Sequence, residues 1–198
     1  MCSSDLIRKK LPDLQIIFLP HHIDSKFFKN WKLDKKYDIL MYGNTSLSFY
    51  PFRNRIYKLL KNNTDKFNIK FQEPIRNYFK FNPKISNKSL STLINQSWIT
   101  ICTPSKFDLL LGKYFETSMS FSAVCGNLPK DAFPIWSKCF INIDNTMTDE
   151  QIIKTISNAL NDKKNINKIC SIMYKKMEEF YLDKFADKLA FNVKKYIL

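Results

Sequence analysis

The chain has 198 residues, of which 44% are hydrophobic and 15% aromatic, and it carries a formal net charge of +14. That length suits one domain, and that hydrophobic share fills a buried core, which excludes a disordered polyelectrolyte. No window approaches 18 consecutive apolar residues, which excludes a membrane-spanning helix in this sequence.

Along the chain, strand-like and helix-like segments alternate. Gln15–Leu19 is a short apolar run ended by Pro20, and Tyr37–Tyr42 is another, ended by the turn signal Gly43-Asn44. Arg53–Lys61 carries Ile56, Leu59 and Leu60 at helical spacing, with Pro51 just ahead where helices start. Phe67–Phe71 alternates apolar and polar residues as a half-buried strand does. Ser89–Asn95 reads as a helix, Trp98–Cys102 as a strand stopped by Thr103-Pro104, and Gly112–Ser120 as a helix. Ser122–Cys125 and Cys139–Ile143 read as further strands.

The remainder is helical. Asp149–Leu160 puts Ile152, Ile153, Ile156 and Leu160 on one stripe, with Thr148 or Asp149 as its cap. Apolar spacing continues from Ile166 to Leu198, with Asp183 as the expected cap of a separate last helix. Short apolar strands alternating with helices predict an α/β domain. Its parallel, Rossmann-like sheet is covered on both faces and followed by a helical tail. In such sheets ligands bind at the carboxyl ends of the strands, so the loops after Tyr42, Phe71 and Cys102 are the ones to inspect.

Charge and cysteine usage narrow the partners. A charge of +14 raises nucleic acid or an anionic membrane surface. The arginines are only Arg8, Arg53, Arg55 and Arg76, however, while lysines are spread along the whole chain. Nucleic-acid readers concentrate arginine, so a solvated lysine-rich surface is the plainer account and no specific nucleic acid is expected. Cys2, Cys102, Cys125, Cys139 and Cys170 form an odd set without a Cys-x-x-Cys pair, and Met1–Asp5 lacks the order of a secretion signal. The expected location is a reducing cytoplasm, or the periphery of a membrane facing it.

Two stretches carry candidate chemistry. After Tyr42, Gly43 allows close approach to the backbone, and Asn44, Arg53 and Arg55 lie around a helix start that offers free N–H groups to an anion. Two surface arginines on an ordinary helix explain the same residues. It is neither a Gly-x-Gly-x-x-Gly fingerprint nor a P-loop. After Cys102, Lys106 and Lys113 flank a loop and helix start where a diphosphate fits. Glu116, one turn into the helix, is placed to accept hydrogen bonds from sugar hydroxyls. On spacing alone a solvated helix carboxylate is the better account of Glu116.

The order of segments adds to this. Lys113-Tyr114-Phe115-Glu116, followed by Ser118, Ser120, Ala123 and Gly126, is similar to the donor-binding motif of group-1 glycosyltransferases of the GT-B fold. Leu19–Asp24 with Phe27-Phe28 resembles the linker entering that family's C-terminal domain, and Tyr37–Asn44 resembles its first strand and glycine loop. Tyr50-Pro51-Phe52-Arg53 recurs in some branches, and Met147–Leu198 resembles the closing helices.

The resemblance covers the chain from about Leu19 and implies one half of a GT-B enzyme. Residues 1–24 would be a linker or the remnant of a preceding domain, and 25–198 a nucleotide-sugar-binding domain. It implies metal-independent transfer of a sugar from a UDP- or GDP-sugar to an unknown glycan, lipid or protein acceptor, without a cofactor. The missing N-terminal domain becomes a partner. Donor-binding residues would be Gly43, Asn44, Arg53, Lys106, Asp108, Lys113, Tyr114 and Glu116, with Lys113 on the diphosphate and Glu116 on the ribose or the donor sugar. Asp108 stands where the family has the first Glu of a Glu-x7-Glu pair, one methylene shorter, and the glycine loop holds Gly43 alone. His21 and His22 would lie near the cleft between domains. The alternative is a non-catalytic basic Rossmann-like module for nucleic acid or an anionic membrane surface. A dehydrogenase-like domain is disfavoured by the missing glycine fingerprint.

Overall fold

The computed structural model describes residues 9–12, 21–72 and 85–197. Strands and helices alternate through β1 (Tyr37–Tyr42), α1 (Pro51–Lys61), β2 (Ile69–Gln72), α2 (Asn87–Asn95), β3 (Ser97–Ile101), α3 (Gly112–Met119) and β4 (Ala123–Gly126). There follow α4 (Phe133–Trp136), β5 (Ile141–Asn142), α5 (Asp149–Asn161), α6 (Lys163–Lys176) and α7 (Leu182–Ile197). All five strands are parallel, in the order β2-β1-β3-β4-β5. The α/β class and the doubly covered parallel sheet expected from the alternation are what the chain adopts.

The period of two along each strand sorts side chains into two core layers. Leu40 and Tyr42 of β1, Cys102 after β3 and Val124 of β4 face one layer, where Ile94, Tyr114, Phe115, Met119 and Trp136 pack. Ile39 and Met41, Ile99 and Ile101, and Ala123 and Cys125 face the other, against Ile56 and Leu60 of α1 and Ile152, Ile156 and Leu160 of α5.

Helix α6 passes beneath the amino-terminal ends of the strands. Ile166 and Cys170 join one layer while Met173 belongs to the other. Lys163 lies 5.0 Å from the Trp98 ring, and Tyr174 packs edge-on against Phe121. At the same end Lys35 donates to the carbonyls of Asn95, Ser97 and Phe121 at 2.8, 2.9 and 2.6 Å, sealing the starts of β3 and β4. Burial lowers the Lys35 amine to about 8.

Several boundaries differ from the sequence reading, each for a local reason. Strand β2 begins at Ile69 rather than Phe67, whose ring is buried against the α1 layer. β5 contracts to Ile141–Asn142 at the edge of the sheet. Helix α4 was not foreseen, because four residues are too few to show a period. Thr148 caps α5 in a capping box with Gln151. The last helix starts at Leu182, so Asp183 does not cap it; the carboxylate lies in the first turn, where the helix dipole favours it. Gln15–Leu19 lies outside the described residues.

Gly126 closes β4 against β3. A methyl placed on it would lie 1.7 Å from the Cys102 carbonyl oxygen, closer than atoms can come. Gly126→Ala is therefore expected to destabilise the domain by about 3 kcal/mol or more, read from the urea midpoint at unchanged m-value.

Candidate functional site

The chain runs from β1 outward to β2, then returns past β1 to β3, so the loops after β1 and β3 turn away from each other. This is the switch point, where a doubly wound sheet opens a crevice at its carboxyl edge. Three elements converge there: the Gly43 turn, the Cys102-Thr103 turn, and the first turn of α3.

Arg53, on the first turn of α1, is buried and braces both loops. Its Nε donates to the Thr103 hydroxyl at 3.0 Å and Nη1 to the Asn44 carbonyl at 3.1 Å, while Nη2 donates to the Thr103 carbonyl. The guanidinium also stacks on the Tyr50 ring, 4.1 Å from its centroid.

Lys113 reaches the same place from α3. Its amine donates to the Tyr42 carbonyl and lies 3.9 Å from the Tyr42 ring centroid. Gly43, with φ +93°, lies between the two cations: a Cβ there would be 3.2 Å from Lys113 Nζ and 3.6 Å from Arg53 Nη1. Glycine is required by conformation and kept by crowding. Neither cation has an ion-pair partner among the described residues. Burial first, and Arg53 second, push the Lys113 amine down to about 7.

Glu116 completes the group. Its Oε2 accepts from the Tyr42 hydroxyl at 2.8 Å. Its Oε1 lies on the side of Gly112, 3.6 Å from where a Cβ would stand, and His21 Nδ1 is 3.9 Å from the same point. Among the described residues no side chain caps the start of α1 or α3, so the first-turn backbone N–H groups of both helices, apart from Pro51 which has none, are left without side-chain partners. The arrangement can bind an anion over Lys113 and the helix N-termini, and accept hydroxyl hydrogen bonds at Glu116.

The other residues expected at the site are dispersed around it. Asn44 shapes the turn, its Oδ1 accepting from the Ser46 N–H at 2.8 Å. Lys106 is an exposed rim residue whose amine lies 5.2 Å from the rings of both Phe49 and Phe107, and its N–H donates to the Phe49 carbonyl. Asp108 has φ +55°, and its carboxylate accepts from the Lys130 N–H at 3.3 Å. Tyr114 is a core residue: its hydroxyl donates to the Asn127 carbonyl at 2.7 Å and its ring packs near Trp136. Arg55 turns away to Asp149 at 2.6 Å. His22 packs on Phe185, ring centroids 4.9 Å apart. Sequence reasoning missed Tyr42 and Thr103, although both stand at strand ends flanking the switch point, and that position was the available signal.

No protein-family model and no curated protein matches the sequence. Solved structures do match the fold. Sucrose-phosphate synthase from Thermosynechococcus elongatus aligns over 98% of this chain and 56% of its own, with a TM-score of 0.68 at 10% identity. The pneumococcal O-GlcNAc transferase GtfA, solved with UDP and GlcNAc, aligns over 97% of this chain and 43% of its own, with a TM-score of 0.64 at 10% identity. The C-terminal domain of the group 1 glycosyl transferase LpcC from Francisella tularensis matches over 81% of this chain and 99% of its own, with a TM-score of 0.51 at 14% identity. The fold is one half of GT-B. The chain thus spans about half the length of the first two neighbours.

A buried lysine that is neutral in the folded domain near pH 8 and charged in the unfolded chain has a definite linkage sign. Between about pH 7 and 10 the unfolded state holds the extra proton, so stability rises with pH through that window. Lys113→Met removes this contribution. The expected outcome is a urea stability difference between wild type and Lys113→Met that shifts toward the wild type as pH rises from 7 to 10, by up to ~1.4 kcal/mol per unit.

Proposed function

We propose that this GT-B half binds the nucleotide-sugar donor of a glycosyltransferase, which moves the sugar from a UDP- or GDP-sugar to a glycan, lipid or protein acceptor. The supporting observation is the group at the switch point: Lys113 and Arg53 buried side by side beneath Gly43, with the Glu116 carboxylate one helical turn from Lys113.

Each part has a defined chemical task in this reading. Lys113, with the first amides of α1 and α3, holds the diphosphate. As the bond from the anomeric carbon to the diphosphate oxygen breaks and its electron pair stays with that oxygen, these groups stabilise the growing negative charge without a metal. Arg53 contributes charge from below, its N–H groups being spent on Asn44 and Thr103. Gly43 lets the phosphates approach the backbone, and Asn44 keeps that turn in shape. Glu116 accepts from hydroxyls of the ribose or the sugar. Lys106 and Asp108 stand on the loop after β3 at the rim, and Tyr114 secures the loop after β4. The acceptor and the catalytic base belong to a preceding N-terminal domain, with residues 1–24 as the connection and 25–198 as the binding domain.

Calorimetry tests the reading directly. The folded protein binds UDP or GDP, or one of their sugars, and Glu116→Ala weakens that binding about tenfold or more. Binding to DNA or anionic vesicles that falls steeply with salt, with no nucleotide binding, overturns the proposal in favour of the non-catalytic module.

The lowered Lys113 amine adds a pH signature. Diphosphate binding recharges Lys113, so affinity falls as pH rises above about 7, by up to about tenfold per unit. Binding enthalpies compared across buffers at pH 8.5 then show uptake of close to one proton.

A further inference from the structure

Tyr42 is the last residue of β1 and is buried where the strand meets the crevice. Its three functional parts meet two partners. The carbonyl accepts from Lys113 Nζ, the ring lies 3.9 Å beneath that amine, and the hydroxyl donates to Glu116 Oε2 at 2.8 Å. Lys113 and Glu116 sit on the same face of α3, three residues apart, and a lysine amine and a carboxylate so placed can fold onto each other as an ion pair. They do not do so here: the hydroxyl holds one carboxylate oxygen, and the carbonyl and ring hold the amine.

We propose that Tyr42 is a positioning residue whose hydroxyl aims Glu116 Oε1 into the crevice for a hydroxyl of the ligand, while its carbonyl and ring independently hold the Lys113 amine; this rests on the nucleotide-sugar reading above. Lys113 then serves the anion alone, and Glu116 serves the polyol alone. A carboxylate pinned through one oxygen keeps its other oxygen in place without losing side-chain freedom on binding. The rigidity comes from β1, which is hydrogen-bonded on both sides by β2 and β3. A phenylalanine at this position would keep the ring and the carbonyl, hence the support of Lys113, and lose only the hold on Glu116.

That difference makes the test. Tyr42→Phe is compared with wild type by calorimetry against inorganic pyrophosphate, UDP and GDP. Pyrophosphate binding needs only the cations and stays within about twofold, whereas binding of whichever nucleoside diphosphate the wild type takes, or of its sugar, weakens about tenfold. Glu116→Gln alone produces a similar loss, and the double variant Tyr42→Phe/Glu116→Gln is no weaker than Glu116→Gln, because the two act as a unit. Equal weakening for pyrophosphate and nucleotide would show Tyr42 to be only structural, and losses that add in the double variant would show it acting apart from Glu116; either overturns the inference while nucleotide binding by wild type stands. A folded wild type that binds no nucleotide overturns the donor-site reading and this inference together.

Discussion

Two basic side chains, Arg53 and Lys113, are taken out of water at the carboxyl edge of the sheet and are met there by backbone carbonyls instead of carboxylates. A buried charge without a counter-ion is costly, and burial together with the neighbouring Arg53 brings the Lys113 amine down to about 7. The carbonyls of Tyr42, Asn44 and Thr103 can be spared for this because they stand just where parallel strands end and ladder bonding stops. Gly43 is tied to the same arrangement: its backbone adopts φ +93°, which favours glycine, and a Cβ there would crowd Lys113 Nζ at 3.2 Å. Fold and chemistry therefore meet in one constraint: the strand ends supply acceptors, the acceptors hold basic groups, and no carboxylate among the described residues pairs with them.

The opposite edge of the sheet has the contrary character. Lys35 gives its amine to three carbonyls, α6 lies across the strand starts, and Trp98 and Phe121 are covered. Polar groups at that end are matched within the chain. This division agrees with the general behaviour of doubly wound sheets, in which one edge secures the fold and the other carries function.

Most of the architecture was legible because periodicity reports burial. Leu40 and Tyr42 against Ile39 and Met41, or Ile152 with Ile156 and Leu160, reveal strand and helix from sequence alone. The site was legible only in part. Glu116 and Lys113 emerged through a family motif, and Gly43 through a turn signal. Arg53 was singled out for its charge, but its role as a brace depends on Thr103, 50 residues further on, which no local pattern reveals. Tyr114 and Glu116 look equally available in sequence; the helix turns the first into the core and the second toward the crevice. Tyr42 read as one more apolar strand residue, because its hydroxyl matters only once α3 lies beside β1.

The entry to the domain is fastened to its tail. Ile23 is buried, its N–H donates to the Phe180 carbonyl at 2.9 Å, and its carbonyl accepts from the Leu182 N–H at 3.1 Å. Two residues earlier, His21 comes to the Gly112 side of Glu116. The backbone at Ile23 is therefore fastened on both its N–H and its carbonyl to the start of the tail. A displacement of the tail at Phe180 or Leu182 is carried through Ile23 to His21 and the Gly112 side of Glu116, so the packing of the closing helices and the shape of the crevice are mechanically linked.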